Sequence, residues 1–242
     1  MAKLIGQNFT PLDIEAKVTG AAKYTEDFRA EGMVYCKLLT SPVPHAKIKK
    51  IDTAAALKIK GVLGVLMADE VPQFPPPQPP ILAKDETFFV GEPILAVAAE
   101  TELLCAEAIE AIKIDFEILP HVTDPLESLF PGGPNARSNA NVAGNQINMQ
   151  IAKWDAADFA AAGDDKLPMG KPAEEWKYGD LDAGFKASKV VLDESFVAGG
   201  HAHHSMEPRS TFAYWQGDKC FLHVSNQSHT AAVPNIARFV GI

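Results

Sequence analysis

Between positions 88 and 119 the chain reads as strand, capped helix and strand, and that run commits the first half of the molecule to a mixed α+β core. Phe88-Phe-Val-Gly-Glu-Pro-Ile-Leu-Ala-Val-Ala-Ala99 holds two apolar runs that meet at a Gly-Glu-Pro break. Thr101 then stands where a helix N-cap belongs. In 102–112 the apolar residues at 104, 105, 108, 109 and 112 fall on one helical face, with Glu107 and Glu110 outside it. Lys113-Ile-Asp-Phe-Glu-Ile-Leu119 alternates apolar and polar, the pattern of a half-buried strand.

The flanks supply more strands. Positions 33–40 are apolar enough for one, and Ser41-Pro-Val-Pro-His45 interrupts it because proline cannot donate to a ladder. Ala46-Lys-Ile-Lys-Lys-Ile-Asp52 alternates, Thr53 is placed to cap a short helix through Lys58, and 62–67 reads as a third strand. The proline run at 72–80 favours an extended surface loop. From 120 to 148 proline, glycine and asparagine dominate, and a boundary belongs there. We therefore divide the chain into a domain at 1–130, a linker and insertion at 131–178, and a second α+β segment at 179–242. Within the insertion, 154–162 has helical propensity. Beyond it a short helix follows Asp180, strands are expected at 190–197, 210–215 and 220–225, and a last helix runs to about Val240. The apolar strands of 175–242 are expected to leave an unfinished core within this chain.

The polar turn among those strands is the candidate site: Ala198-Gly-Gly-His-Ala-His-His-Ser-Met-Glu-Pro-Arg209. Three of the chain's seven histidines, His201, His203 and His204, fall in four positions. Gly199 and Gly200 let backbone approach a bulky ligand, and their N–H groups suit an oxygen-rich one. Two plainer readings stay open. The histidines form a zinc site, against which stand the missing i, i+4 spacing and the lack of nearby cysteine, or they are satisfied surface side chains.

Formal net charge is −9, which argues against a nucleic-acid partner. No apolar run reaches the ~20 residues of a membrane-spanning helix, and the first residues show no export signal, so a cytoplasmic location is expected. Cys36, Cys105 and Cys220 are far apart, each in an apolar setting, and read as buried, reduced thiols. Without close-spaced thiolates this chain alone ligates no iron–sulfur cluster.

The order of the pieces resembles the molybdenum-binding large subunit of the xanthine dehydrogenase/aldehyde oxidase family. Thr19-Gly-Ala-Ala-Lys-Tyr-Thr-Glu-Asp27, Ser41-Pro-Val-Pro-His-Ala-Lys-Ile48, Phe89-Val-Gly-Glu-Pro-Ile-Leu-Ala-Val97 and Val122-Thr-Asp-Pro-Leu126 are similar to its a/b hammerhead domain. Gly179-Asp-Leu-Asp-Ala-Gly-Phe185, Met206-Glu-Pro208 and Asn226-Gln227 resemble the start of its molybdopterin-binding domain.

The resemblance implies a molybdenum hydroxylase that oxidises an aldehyde or N-heteroaromatic substrate with water as oxygen source. Its cofactor is molybdenum–molybdopterin in the cytosine dinucleotide form, shared with another chain. Electrons pass to 2Fe-2S and FAD groups in partner subunits. No metal is ligated by side chains of this chain. Gly199, Gly200, His201 and Gln227 line the cofactor, with His201 catalytic where many relatives carry glutamine. His203 and His204 face a small-molecule substrate, and Glu207 and Arg209 support the loop. The family's further pterin-binding segments and its catalytic glutamate have no counterpart here, so the chain is expected to be a split, processed or truncated large subunit, active only with the remainder. The competing expectation is a non-catalytic module that docks partner subunits.

Overall fold

Aliphatic residues fill 93–99 on both faces, and this stretch becomes the innermost strand: Ile94, Leu95, Val97 and Ala99 are fully buried. The computed structural model describes residues 5–72, 80–135, 153–163, 166–168, 174–194, 196 and 203–241. In chain order the elements are α1 (Ile14–Val18), β1 (Tyr35–Thr40), β2 (Ala46–Asp52), β3 (Val62–Leu66), β4 (Glu86–Thr87), β5 (Pro93–Ala99), α2 (Glu102–Ala111) and β6 (Lys113–Ile118). They continue with α3 (Pro125–Leu129), α4 (Ala156–Ala162), α5 (Leu181–Ala187), β7 (Thr211–Gln216), β8 (Lys219–Val224) and α6 (His229–Val240).

Chain contacts divide the molecule into two units, one of Val34–Gly200 and a discontinuous one of Met1–Met33 with His201–Ile242. The first holds two antiparallel three-stranded sheets, ordered β1–β5–β3 and β4–β2–β6. Pro93 is tolerated in the central strand because it is the first residue, and its carbonyl still accepts from the Ala83 amide at 2.8 Å. Strand β1 pairs with β5 from Tyr35↔Ala99 to Leu39↔Leu95, with an irregularity before Thr40. Helix α2 starts as the sequence requires: the Thr101 hydroxyl accepts from the Leu104 amide at 3.2 Å. Cys105, Ala108 and Ile112 turn inward while Glu107 and Glu110 are exposed. Leu39, Ile94, Leu95, Val97, Ala108 and Ile112 form one core, against which Ile48 and Ile51 of β2 and Ile114 and Phe116 of β6 pack. Each large aliphatic side chain buried there contributes about 1.5–3 kcal/mol.

A smaller cluster in the same unit joins the two sides of the linker. Phe130 stacks on Phe159 at 5.4 Å and meets Trp154 edge-on at 5.5 Å. The Trp154 amide donates to the Leu129 carbonyl at 2.8 Å. The Lys153 ammonium donates to the carbonyls of Gly133 at 2.6 Å, Ser128 at 3.0 Å and Phe130 at 3.5 Å. It therefore closes the C-terminal end of α3, where unsatisfied carbonyls favour a cation.

Three expectations are corrected. Residues 190–194 of the expected strand at 190–197 lie outside any ladder, with Val190, Val191 and Leu192 exposed; apolar content does not make a strand without a neighbour to pair. Of the cysteines only Cys105 is buried; Cys36 is exposed on edge strand β1 and Cys220 is half-buried. After β2 the chain makes only a 3-10 turn at Ala56–Lys58, where the Asp52 carboxylate, not the Thr53 hydroxyl, takes the free Ala54 amide. The proline run at 73–79 and the asparagine-rich stretch at 136–152 lie outside the described residues. Among the described residues of 174–241 none is buried, and Trp176, Tyr178 and Met206 are almost wholly exposed.

Candidate functional site

Gly217-Asp218 separates two apolar stretches, and Gly217 adopts φ +63° to turn the chain in two residues. Strands β7 and β8 then pair antiparallel from Gln216↔Lys219 at the turn to Thr211↔Val224 at the open end. Alternation puts Phe212 and Tyr214 on the same face as Phe221 and His223. Tyr214 stacks on Phe221 with ring centres 5.1 Å apart, and Phe28 from the N-terminal segment stacks on His223 at 4.2 Å. This aromatic face packs the hairpin against Phe28 within its unit.

The open end carries the candidate residues. Antiparallel pairing places the residues before β7 beside those after β8, so Pro208 and Ser210 meet Ser225 although they are distant in sequence. Three hydrogen bonds continue past the last ladder pair. The Ser225 amide donates to the Ser210 carbonyl at 3.2 Å. The Ser210 amide donates to the Ser225 hydroxyl at 3.3 Å, and that hydroxyl donates to the Pro208 carbonyl at 2.9 Å. Asn226 accepts from the Ser228 amide through its side-chain oxygen at 2.7 Å, which folds the Asn-Gln turn on itself.

Around this end Glu207 is half-buried, and Arg209 and Gln227 are exposed. His203 and His204 are also exposed, and His204 has φ +49°, the left-handed region that histidine enters more readily than most residues. Gly199, Gly200 and His201 lie outside the described residues. Among the described residues the side chains of Glu207 and Arg209 make no hydrogen bond or ion pair, and the Pro208 segment is held by Ser225 instead. Sequence reading missed Ser225 and Ser210. The signal was the Gly-Asp pair between two strands, which makes them a hairpin and so brings both ends together. The Ser210 hydroxyl is enclosed and has no hydrogen-bond partner among the described residues.

No cluster of three metal-ligating side chains occurs among the described residues, and no described helix is long and apolar enough to cross a membrane. Cys220 sits opposite Trp215, toward the turn and away from the open end.

Two parts of the chain match known domains. Residues 19–120 match the a/b hammerhead domain of aldehyde oxidase and xanthine dehydrogenase, and residues 165–242 match the molybdopterin cofactor-binding domain. The chain is 28% identical over 226 residues to the nicotinate dehydrogenase large molybdopterin subunit of Eubacterium barkeri, covering 89% of this chain and 45% of the relative. It is 27% identical over 239 residues to the nicotine 6-hydroxylase large subunit of Paenarthrobacter nicotinovorans, covering 93% of this chain and 26% of that protein. Its fold superposes on the aldehyde oxidoreductase of Desulfovibrio gigas with a TM-score of 0.64 at 26% identity, covering 98% of this chain and 25% of the other. The chain thus spans less than half the length of each of these relatives.

Proposed function

This chain belongs to the aldehyde oxidase and xanthine dehydrogenase family of molybdopterin-binding large subunits, and on that premise we propose that it forms part of an enzyme oxidising an aldehyde or N-heteroaromatic substrate with water as oxygen source. It acts with the remainder of the large subunit, an iron–sulfur subunit and an FAD subunit, in the cytoplasm. The domain at 1–130 is the hammerhead, 131–178 the linker and insertion, and 179–242 the first segment of the cofactor-binding domain.

The observation that carries this reading is the hairpin's open end, where the Ser225 hydroxyl ties the arm that contains Arg209 to the arm that contains Gln227. The donor set fits the cofactor. The Gln227 amide and the imidazoles of His203 and His204 suit hydrogen bonding to an oxygen-rich group, and Cys220 lies at the other end of its strand.

When bound, the molybdenum–pterin group, in its cytosine dinucleotide form, supplies the oxygen-transfer and two-electron chemistry. The chain supplies approach and orientation. Gly199 and Gly200 allow backbone close to the cofactor. His201 would offer a ring N–H to a cofactor oxygen, and its imidazole, unlike an amide, is a group that can take up a proton. His203 and His204 face the substrate, Gln227 forms cavity wall, and Glu207 and Arg209 support the loop.

The test is metal and pterin analysis of the native complex, with mass spectrometry of every chain that copurifies. Absence of molybdenum and pterin would leave a docking module in place of an enzyme. In a loaded complex, His201→Gln keeps the cofactor and changes the pH–rate profile between about pH 5 and 8. His201→Ala loses a donor worth about 1–3 kcal/mol, roughly ten- to a hundredfold in rate. Superimposable pH–rate curves for wild type and both variants would remove His201 from the mechanism.

A further inference from the structure

Ladder pairing ends at Thr211↔Val224, yet the two arms beyond it do not splay. One residue holds them. Ser225 continues the ladder through its own amide, then its hydroxyl takes over, accepting from the Ser210 amide and donating to the Pro208 carbonyl. The hydroxyl has a single proton, and that proton is committed to Pro208 while a lone pair receives Ser210, so rotation of the side chain breaks one bond or the other. Pro208 has no N–H, which leaves its carbonyl as the one backbone polar group by which this residue can be held. An ordinary strand residue at 225 would end the hairpin at Ser210 and release the arm that follows Met206.

We propose that Ser225 is a positioning residue, whose hydroxyl clasps the Met206–Arg209 arm to the Asn226–Ser228 arm and so sets where Gln227 meets the cofactor, with Arg209 supporting the clasped arm. Glu207 and Arg209 flank the clasped Pro208 on one arm. On the other, Gln227 stands two residues from Ser225 at the tip of the turn closed by Asn226. The clasp acts on the cofactor only through these neighbours. The assignment rests on the reading of the chain as part of a molybdopterin enzyme.

The experiment compares Ser225→Ala, Ser225→Thr and Ser225→Cys in the native complex. It reads amide hydrogen exchange at Ser210, molybdenum content, and the molybdenum(V) EPR signal after partial reduction with dithionite. The alanine variant exchanges the Ser210 amide about tenfold faster, as loss of one hydrogen bond requires. It retains molybdenum and shows a displaced EPR signal. Threonine keeps the hydroxyl and restores both readouts. Cysteine has nearly the shape of serine but is a weak hydrogen bonder, so it behaves as alanine does. Should the alanine variant fail to assemble, the threonine–cysteine contrast carries the same test. Cysteine equal to wild type, or an unchanged EPR signal in a molybdenum-loaded alanine variant, overturns the assignment alone. A wild-type complex without molybdenum overturns both it and the reading beneath it.

Discussion

Replacing His45 with phenylalanine isolates a hydrogen-bonded joint at the edge of the second sheet. The His45 ring is almost completely buried where β2 begins. Its Nδ1 lies 2.6 Å from the Pro120 carbonyl oxygen, beyond the end of β6, and its Nε2 lies 2.7 Å from a Glu86 carboxylate oxygen on β4. One side chain thus ties all three strands of that sheet. Phenylalanine keeps the ring and its tilted contact with Phe88, 6.0 Å away, but withdraws both nitrogens. The Pro120 residue is exposed, so its carbonyl rehydrates at little cost. The Glu86 side chain is only 22% exposed, and losing its imidazole partner costs about 1–3 kcal/mol. With the net loss at Pro120 we expect about 2–3 kcal/mol in all. Urea unfolding of the whole chain should be read through amide exchange in β2 and β6, because a single midpoint would mix two units. A loss below about 0.5 kcal/mol in those strands would refute the reasoning, since that is the range of surface substitutions.

Two other outcomes are expected. Burial pushes the Cys105 thiol up, and partial desolvation beside neighbouring protein atoms, with its neighbour Cys105, pushes up that of Cys36 although the residue as a whole is exposed, so less thiolate is present at a given pH. Native Cys36 should alkylate more slowly at pH 8 than in urea, Cys105 should be protected until unfolding, and mass spectrometry of labelled peptides checks both; equal native and denatured rates at Cys36 would count against it. Because the native state holds these protons more tightly, their stabilising contribution is complete below the ordinary thiol range and is lost as pH rises through the raised native values. Lys153→Met removes an ammonium shared by three carbonyls and should cost about 1–2 kcal/mol locally. Faster proteolysis around Trp154, with the β1–β5–β3 sheet unchanged by amide exchange, is the expected result, and equal cleavage rates would show that the aromatic contacts suffice.

Local chemistry made the first unit legible. Thr101 caps α2 where its position demands, and β2 covers the whole alternating stretch it was read from, because one-face burial there agrees with propensity. The strand order was not legible. That β5 inserts between β1 and β3 depends on pairing across long separations, which periodicity does not encode. At 190–197 the same apolar signal that marks β5 marked a strand that has no ladder in 190–194, since burial needs a partner surface. At the candidate site the reactive residue types were visible, whereas the device that gathers them was not. Ser225 looks like any serine at a strand end until the Gly217-Asp218 turn is recognised as the point that aligns it with Pro208.

The discontinuous unit has a consequence for how the protein is made. Phe28 leaves the ribosome early, but the surfaces it stacks against, His223 and Phe212, belong to a hairpin synthesised only after the whole of the other unit. The sheet of β1, β5 and β3 can close as soon as Ala99 has emerged, while the N-terminal segment waits for its partner until Val224 has emerged. The waiting costs little in loop entropy, about 0.6 kcal/mol for each doubling of the intervening chain. Its cost is in time, for contacts of such separation form last and leave Phe28 exposed to any other apolar surface until they do.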